Sequence, residues 1–130
     1  MTLQRFSYVF GGVYLVLGIV GFFLTGLAGF TTTEGETLIL FDVNPLHNFT
    51  HLIVGAVWLA AATKDSTAKL VSLGIGGVLV ALGLIGFFLV GTGANVLALN
   101  HPDNVLHIAT GALALFFGVT AEGGSRSAQP

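Results

Sequence analysis

Four apolar stretches fill most of the chain, and they constrain the fold more than any other feature. Each is long enough to cross the ~30 Å hydrocarbon core of a bilayer, which takes about 20 residues as a helix. The stretches cover residues 6–30, 45–63, 70–93 and 102–120. They lack the alternation of apolar and polar residues that is typical of barrel strands, so helices are expected. The sequence therefore predicts an all-α transmembrane bundle of four helices, in a single domain over residues 1–130.

Composition agrees with a chain that resides in lipid. Charged residues make up 8% of the 130 residues and hydrophobic residues 54%, whereas a soluble domain carries about 25% charged residues. A net charge of −2 offers no basic stripe to neutralise phosphates, which excludes nucleic acid as a partner. The lack of cysteine excludes disulfides, iron–sulfur clusters, thiolate zinc sites and a cysteine nucleophile. We expect membrane lipid as the main partner, and a larger membrane complex or a homo-oligomer as further candidates.

The basic residues predict how the chain enters the membrane. In a chain that crosses four times, all four lie on one side: Arg5, Lys64, Lys69 and Arg126. The other two connections, residues 31–44 and 94–101, contain no Lys or Arg. The positive-inside rule then predicts a plasma (inner) membrane protein with both termini cytoplasmic. Residues 121–130 are expected to form a flexible cytoplasmic tail.

The apolar stretches form an internal repeat. The matching segments are residues 11–26 with 76–91, and residues 48–59 with 104–115. The first match has an offset of 65 residues and the second an offset of 56, so the copies extend over about 6–63 and 70–120. Each copy would contain two spans, and both copies would therefore enter the membrane in the same direction. The prediction is a four-helix transmembrane bundle built from two parallel-repeat helical hairpins.

Glycines recur within these copies at helical spacing. Gly11, Gly18 and Gly29 are expected near one face of the first helix, and Gly76 and Gly83 repeat part of that face. Small residues allow helix backbones to approach closely in lipid. We therefore expect these glycines at contacts between helices.

Polar residues recur near the start of the second and fourth stretches, where they are costly in lipid. The spacing i, i+3, i+7 places three residues on one helical face in each copy: Asn48, His51 and Gly55, then Asn104, His107 and Gly111. Asn44 is a candidate N-cap before Pro45. The two polar faces are expected to point toward each other across the bundle axis, beneath the outer surface.

A structural role is the first interpretation of these residues. Asn48 and Asn104 would bond to groups at the helix ends, while His51 and His107 would bond to the backbone or to each other. No P-loop, GxSxG or HExxH motif is present, so the sequence favours a non-enzymatic membrane module or an accessory subunit.

Two cofactor hypotheses compete with the structural one, beside a proton- or pH-sensing role for the histidines. In the first, His47 and His51 lie one helical turn apart, and with His107 and Asp103 they would provide the ligands for Zn or Cu. The second is a haem with His51 and His107 as axial ligands. Gly55 and Gly111 would leave room for the macrocycle. Phenylalanines would wall it: Phe22, Phe23, Phe87 and Phe88.

The motifs N-P-x-H-N-x-x-H-L-x-x-G (Asn44 to Gly55) and D-N-x-L-H-x-x-x-G (Asp103 to Gly111) carry a family likeness. With the glycine-rich spans, the chain resembles a family of small four-span membrane proteins that is common in actinobacteria and is catalogued as a domain of unknown function. The resemblance implies an integral inner-membrane location and the paired His and Asn positions. It implies no activity, substrate or cofactor.

Overall fold

Helices account for most of the chain in the computed structural model, which describes residues 1–121. The elements within that range are α1 (Leu3–Thr25), β1 (Glu36–Leu38), β2 (Phe41–Val43), α2 (Pro45–Ala61), α3 (Asp65–Leu89) and α4 (His101–Thr120). Residues 122–130 of the predicted tail, including Arg126, lie outside the described residues.

Three of the helices, α1, α3 and α4, are long and apolar enough to cross a membrane. Most residues of their apolar segments face away from the protein interior, which leaves wide apolar surfaces. Helix α2 has 17 residues, or about 26 Å at 1.5 Å per residue. It is thus shorter than the ~30 Å hydrocarbon core.

The first helix ends earlier than residue 30, the boundary predicted from its apolar stretch. Helix α1 stops at Thr25 because Gly26 adopts φ +57°, a left-handed value that ends a helix. Gly29 therefore lies in the following loop, with φ +62°. The prediction that Gly29 lies on a face of the first helix is therefore wrong.

The third helix begins earlier than residue 70, the predicted start. Residues 64–69 were expected to form a turn, but α3 starts at Asp65 and the turn is shorter. A carboxylate in the first turn of a helix is stabilised by the helix dipole, which favours this start. Lys69 is therefore helical, and its Nζ donates a hydrogen bond to the carbonyl of Ala121 at 2.8 Å.

The helices pack mainly in two pairs, α1 with α2 (the first helical pair) and α3 with α4 (the second helical pair). Each pair is closest where a glycine meets the opposite backbone. A Cβ added to Gly55 would lie 2.5 Å from the amide nitrogen of Leu15, and one added to Gly111 would lie 2.7 Å from the carbonyl oxygen of Gly76. Contacts this close require a residue without a side chain.

The two pairs meet at a small polar contact near the start of α1 and α3. The hydroxyls of Ser7 and Ser72 lie 3.4 Å apart, and Trp58 Nε1 donates to Ser72 Oγ at 3.1 Å. Phe6 and Phe117 pack around this contact with a ring-centroid distance of 5.1 Å. Because the indole N–H has a partner, the aromatic core can be buried without an unsatisfied donor.

The opposite end of the helices is covered by the two strands and the loop before α4. Strands β1 and β2 form an antiparallel hairpin with Glu36 opposite Val43. Asn44 caps α2 by accepting a hydrogen bond from the His47 amide at 2.8 Å, as the sequence predicted. Its Nδ2 also donates to the carbonyls of Thr32 at 2.9 Å and Val96 at 2.7 Å. One buried amide therefore ties both loops of this end to the start of α2.

Candidate functional site

Three histidines converge inside the helices, close to the hairpin end. His47 and His51 lie one turn apart on α2, and His107 comes from α4. One ring nitrogen from each lies within 4.8 Å of the other two. The ring centroids are 4.4 Å apart for His47 and His51, 5.7 Å for His47 and His107, and 6.1 Å for His51 and His107. We call these three residues the histidine triad.

The triad is buried, and five of its six ring nitrogens are unpaired within the described residues. Each of the three side chains is at most 3% exposed. Both nitrogens of His47, both of His51 and Nδ1 of His107 find no hydrogen-bond partner within residues 1–121. A buried polar group without a partner costs about 1–3 kcal/mol. One nitrogen of each ring lies in the cluster, and this convergence of buried polar atoms favours a site that binds something over a site that only packs.

Main-chain groups and a tyrosine ring flank the triad. Main-chain groups of Asp42 and Leu97 lie beside the His47 ring. The Tyr14 ring packs edge-on against His51 with a centroid distance of 5.2 Å. The Tyr14 hydroxyl is buried and is likewise unpaired within the described chain. The side chain of Thr110 on α4 lies beside this hydroxyl.

Asp103, predicted as a fourth ligand, does not join this cluster. Its carboxylate turns back to its own helix, where Oδ2 accepts from the Asn100 amide at 3.4 Å while the Asp103 amide donates to Asn100 Oδ1 at 3.0 Å. These two bonds form a capping box at the start of α4. The other carboxylate oxygen, Oδ1, is buried and lacks a partner in the described residues. Of the four predicted ligands, the structure thus brings the three histidines together.

Of the two asparagines of the repeated motif, Asn48 bonds to a helix-end residue as expected, since Thr25 is the last residue of α1, and Asn104 does not. Asn48 Nδ2 donates to the Thr25 hydroxyl at 2.9 Å. Both amide atoms of Asn104 are buried without a partner among the described residues. The side-chain oxygen of each asparagine presses against a glycine of the neighbouring helix, Asn48 on Gly21 and Asn104 on Gly86, where an added Cβ would overlap it.

The structure fills the space that the haem hypothesis requires. Gly55 and Gly111 were expected to leave room for a macrocycle, but the backbones of α1 and α3 occupy the space above them. The proposed aromatic wall also fails, because Phe23 and Phe88 are 86% and 83% exposed and point away from the core. These residues therefore do not fit a haem between His51 and His107.

Sequence reasoning missed three residues that shape the site. Asn100 caps α4 and its Nδ2 holds the hairpin through the Leu40 carbonyl at 2.9 Å. Asn95 closes the loop before α4 by bonding Leu99 through both its amide oxygen and nitrogen. Asn100 could have been considered as a cap, because Asn three residues before an acidic residue is compatible with a capping box, although the pattern does not decide it. Tyr14 carried no such signal, since a tyrosine in an apolar stretch has the pattern of a core residue.

Imidazoles with free nitrogens are the usual ligands of zinc and copper in proteins. Three of them on two helices can hold an ion and leave one position of a tetrahedron for water or another group. The lack of cysteine leaves nitrogen and oxygen as the ligand atoms that the chain offers. The arrangement fits a transition-metal ion bound by three nitrogens.

Comparison with known proteins finds a family whose model matches this chain. The model of a family described as "Domain of unknown function (DUF4383)" matches residues 4–120. This match covers nearly the whole chain and confirms the resemblance to a family of unknown function. No curated protein and no solved structure matches the chain.

Proposed function

The chain belongs to this family, and because the family description assigns no activity, we propose from the geometry that the protein is a membrane module that binds one zinc or copper ion through the histidine triad. The observation that carries the proposal is the convergence of three buried imidazoles with unpaired nitrogens. In tetrahedral zinc sites with Zn–N bonds of about 2.0–2.1 Å, the ligand nitrogens lie about 3.4 Å apart. Nitrogens within 4.8 Å of one another need only small rotations of the side chains to reach that geometry.

The ligand set favours particular metals. Imidazole suits Zn²⁺ and copper, whereas Ca²⁺ and Mg²⁺ prefer oxygen ligands. Three neutral imidazoles bring no negative charge, so a bound dication keeps its full charge in an apolar setting, which is costly. Asp103 lies one helical turn before His107 and has an unpaired buried carboxylate oxygen. We assign it the role of offsetting part of that charge from outside the ligand set.

We further propose that α2 is a fourth span. Helix α2 starts next to the end of α1, where Asn48 Nδ2 donates to the hydroxyl of Thr25, the last residue of α1, at 2.9 Å. Near its other end, Trp58 bonds Ser72, which lies against Ser7 near the start of α1. Helix α2 therefore runs antiparallel to α1 over much of its length. Its 17 residues would span a bilayer together with the residues that flank it.

The orientation of the four spans follows from charge. Described basic side chains lie at the end away from the hairpin: Arg5, Lys64 and Lys69. Carboxylates lie in the hairpin loop: Glu34, Glu36 and Asp42. With the positive end inside, the termini are cytoplasmic and the triad lies toward the outer face. Cysteines placed at Thr33 and Thr63 of this cysteine-free chain test the orientation, since an impermeant maleimide added to intact cells should label Thr33→Cys and spare Thr63→Cys.

The two helical pairs support an origin in a duplicated hairpin. Ser7 meets Ser72, its counterpart at the 65-residue offset, and His51 faces His107, its counterpart at the 56-residue offset. These contacts are what a two-fold axis between two parallel copies would produce. We propose that this module binds a metal ion, and we assign no catalysed reaction to it. Membrane lipid is its proposed partner, and a larger complex or a homo-oligomer stays a prediction from the sequence.

Metal analysis of the purified protein tests the proposal. The protein is stripped with a chelator in detergent, loaded with Zn²⁺ or Cu²⁺, dialysed, and measured by elemental mass spectrometry. We expect about one tightly bound ion per chain for the parent, and its loss in His47→Ala, His51→Ala and His107→Ala, since each substitution removes one of only three protein ligands.

The fourth histidine provides the matched control. His101 lies at the start of α4, is exposed, and stacks on Phe87 with a centroid distance of 5.5 Å, outside the triad. His101→Ala should keep the full metal content. A folded parent that binds no ion, or triad variants that bind as the parent does, would show that the proposal is wrong.

A further inference from the structure

The tip of the hairpin is apolar, exposed and conformationally strained. Leu38 pairs with Phe41, so the tip is a two-residue turn formed by Ile39 and Leu40. Their side chains are 78% and 64% exposed. Turns of this length favour Gly, Asn or Asp because they need positive φ angles. Ile39 nevertheless adopts φ +61°, which is costly for a β-branched residue.

The remainder of the hairpin is fixed, so the tip is held in place. Leu38 and Val43 are buried on the inner side of the two strands. On the outer side, the Thr37 hydroxyl donates to Asp42 Oδ1 at 2.8 Å. At the tip itself, Asn100 Nδ2 donates to the Leu40 carbonyl at 2.9 Å. The exposed side chains of the tip are therefore displayed by a rigid support rather than by a free loop.

The position of the tip identifies what can cover it. Asn100 is the N-cap of α4, one of the helices apolar enough to span a membrane. The first turns of α4 expose Pro102 and Val105, so lipid contact on this helix begins directly below the tip. The tip thus lies at the depth where the polar surface of a bilayer passes into hydrocarbon.

We propose that Ile39 and Leu40 insert into the outer leaflet and anchor the hairpin over the start of α4. Apolar side chains at the boundary between headgroups and acyl chains are stabilised by burial there. An anchored tip keeps the hairpin closed against α1 and α4, the helices that its strands contact. The proposal is independent of metal binding and rests on the membrane residence proposed above.

Site-directed spin labelling tests the insertion, because the chain has no cysteine of its own. Single cysteines at Ile39→Cys and Leu40→Cys are labelled with a nitroxide in vesicles of phosphatidylcholine and phosphatidylglycerol. Glu34→Cys, exposed in the same loop, serves as the solvent control, and Phe88→Cys, exposed on α3, serves as the lipid control. The ratio of collisions with oxygen to collisions with a water-soluble nickel complex reports depth.

We expect the ratio at Ile39 and Leu40 to exceed that at Glu34 several-fold and to approach that at Phe88. Ratios at both tip positions equal to the Glu34 ratio would overturn the insertion. Spin–spin broadening at Ile39 that persists at high lipid-to-protein ratio would also overturn it, by showing that a second copy covers the tip. A Phe88 label that is open to the nickel complex would instead show that the chain is not embedded, which separates failure of the membrane proposal from failure of the anchor.

Discussion

The two helical pairs share their close packing and differ in their polar side chains. In both, an asparagine oxygen presses on a glycine of the partner helix, Asn48 on Gly21 and Asn104 on Gly86. At two matched positions the chemistry differs. His47 in the first pair corresponds to Asp103 in the second, and Thr25 to Val90, by the offsets of 56 and 65 residues.

The residues that pack the helices match between the two pairs more closely than the residues that form the candidate site. Positions that bring backbones together are the same in both pairs, because a side chain there would collide with the opposite helix. Between the two pairs, some counterparts are identical, such as Ser7 and Ser72, and others differ, such as His47 and Asp103. The first pair supplies two histidines of the triad, and the second supplies one histidine and a cap.

The largest expected effect concerns metal affinity, and it compares His47, a proposed ligand, with its counterpart Asp103, which is proposed to lie outside the ligand set. His47→Ala removes a ligand and should weaken metal binding at least ~100-fold, or about 2.7 kcal/mol. Asp103→Asn keeps the shape of the cap and removes one nearby charge, so a loss of about 10-fold is expected, at the low end of the effect of outer-shell groups. Competition with a chromophoric chelator measures both affinities. Equal losses in the two variants would contradict the assignment of Asp103 outside the ligand set.

The next effect concerns the packing that both pairs share. Gly55→Ala and Gly111→Ala each place a methyl group against the opposite backbone, and each should lower the free energy of unfolding by about 1–3 kcal/mol. Gly12→Ala and Gly77→Ala are matched controls, since nothing lies within 4 Å of a Cβ at either position. Thermal unfolding in detergent should show a clear loss for the first two variants and little change for the controls. A similar loss at all four would mean that close approach is not the cause.

A smaller difference is expected between the two serines that meet across the pairs. Ser72 accepts the Trp58 indole N–H, whereas Ser7 has only the 3.4 Å contact with Ser72. Ser72→Ala leaves a buried donor unpaired and should cost about 1–2 kcal/mol, while Ser7→Ala should cost less than ~1 kcal/mol. Thermal unfolding, followed by the fluorescence of the single tryptophan, compares the two variants. Equal effects would show that the indole bond does not stabilise the fold.

The smallest effect tests whether the second pair can be made like the first. Val90 occupies the position of Thr25, whose hydroxyl accepts from the amide of Asn48. Val90→Thr should give the unpaired Asn104 amide a partner and stabilise the protein by about 0.5–1 kcal/mol. Thr25→Val should destabilise it by a similar amount. Thermal unfolding of both single variants checks the opposite signs, and a destabilised Val90→Thr would contradict the equivalence.

Much of the helical pattern could be predicted from the sequence, because apolar length and glycine spacing are local signals. The starts of α2 and α4 were found to within one residue, since Pro45 and Pro102 mark first turns. The start of α3 was missed by five residues, because Lys64 and Lys69 are polar and were assigned to a turn, although polar residues extend helices beyond the hydrocarbon. Charge and apolar length locate a span better than they locate the end of a helix.

The histidines of the candidate site could be predicted from the sequence, but the other residues of the site could not. His51 and His107 are counterparts in the repeat, and His47 lies one helical turn from His51; those signals place them on facing sides. The sequence could not tell that Asp103 turns back to Asn100, since both a cap and a ligand suit a carboxylate at that position. It also could not tell that the faces of Gly55 and Gly111 are covered by helix backbone, because packing between helices leaves no local pattern.

X-ray absorption spectroscopy of the metal-loaded protein tests the central claim most directly. If the triad is the binding site, the first coordination shell of the zinc- or copper-loaded parent contains three nitrogens at about 2.0–2.1 Å, with the outer-shell scattering typical of imidazole. His101→Ala should keep this three-imidazole shell, whereas His107→Ala should lose the ion. A shell of oxygen atoms without imidazole scattering would contradict the account, because the ion would then be bound elsewhere.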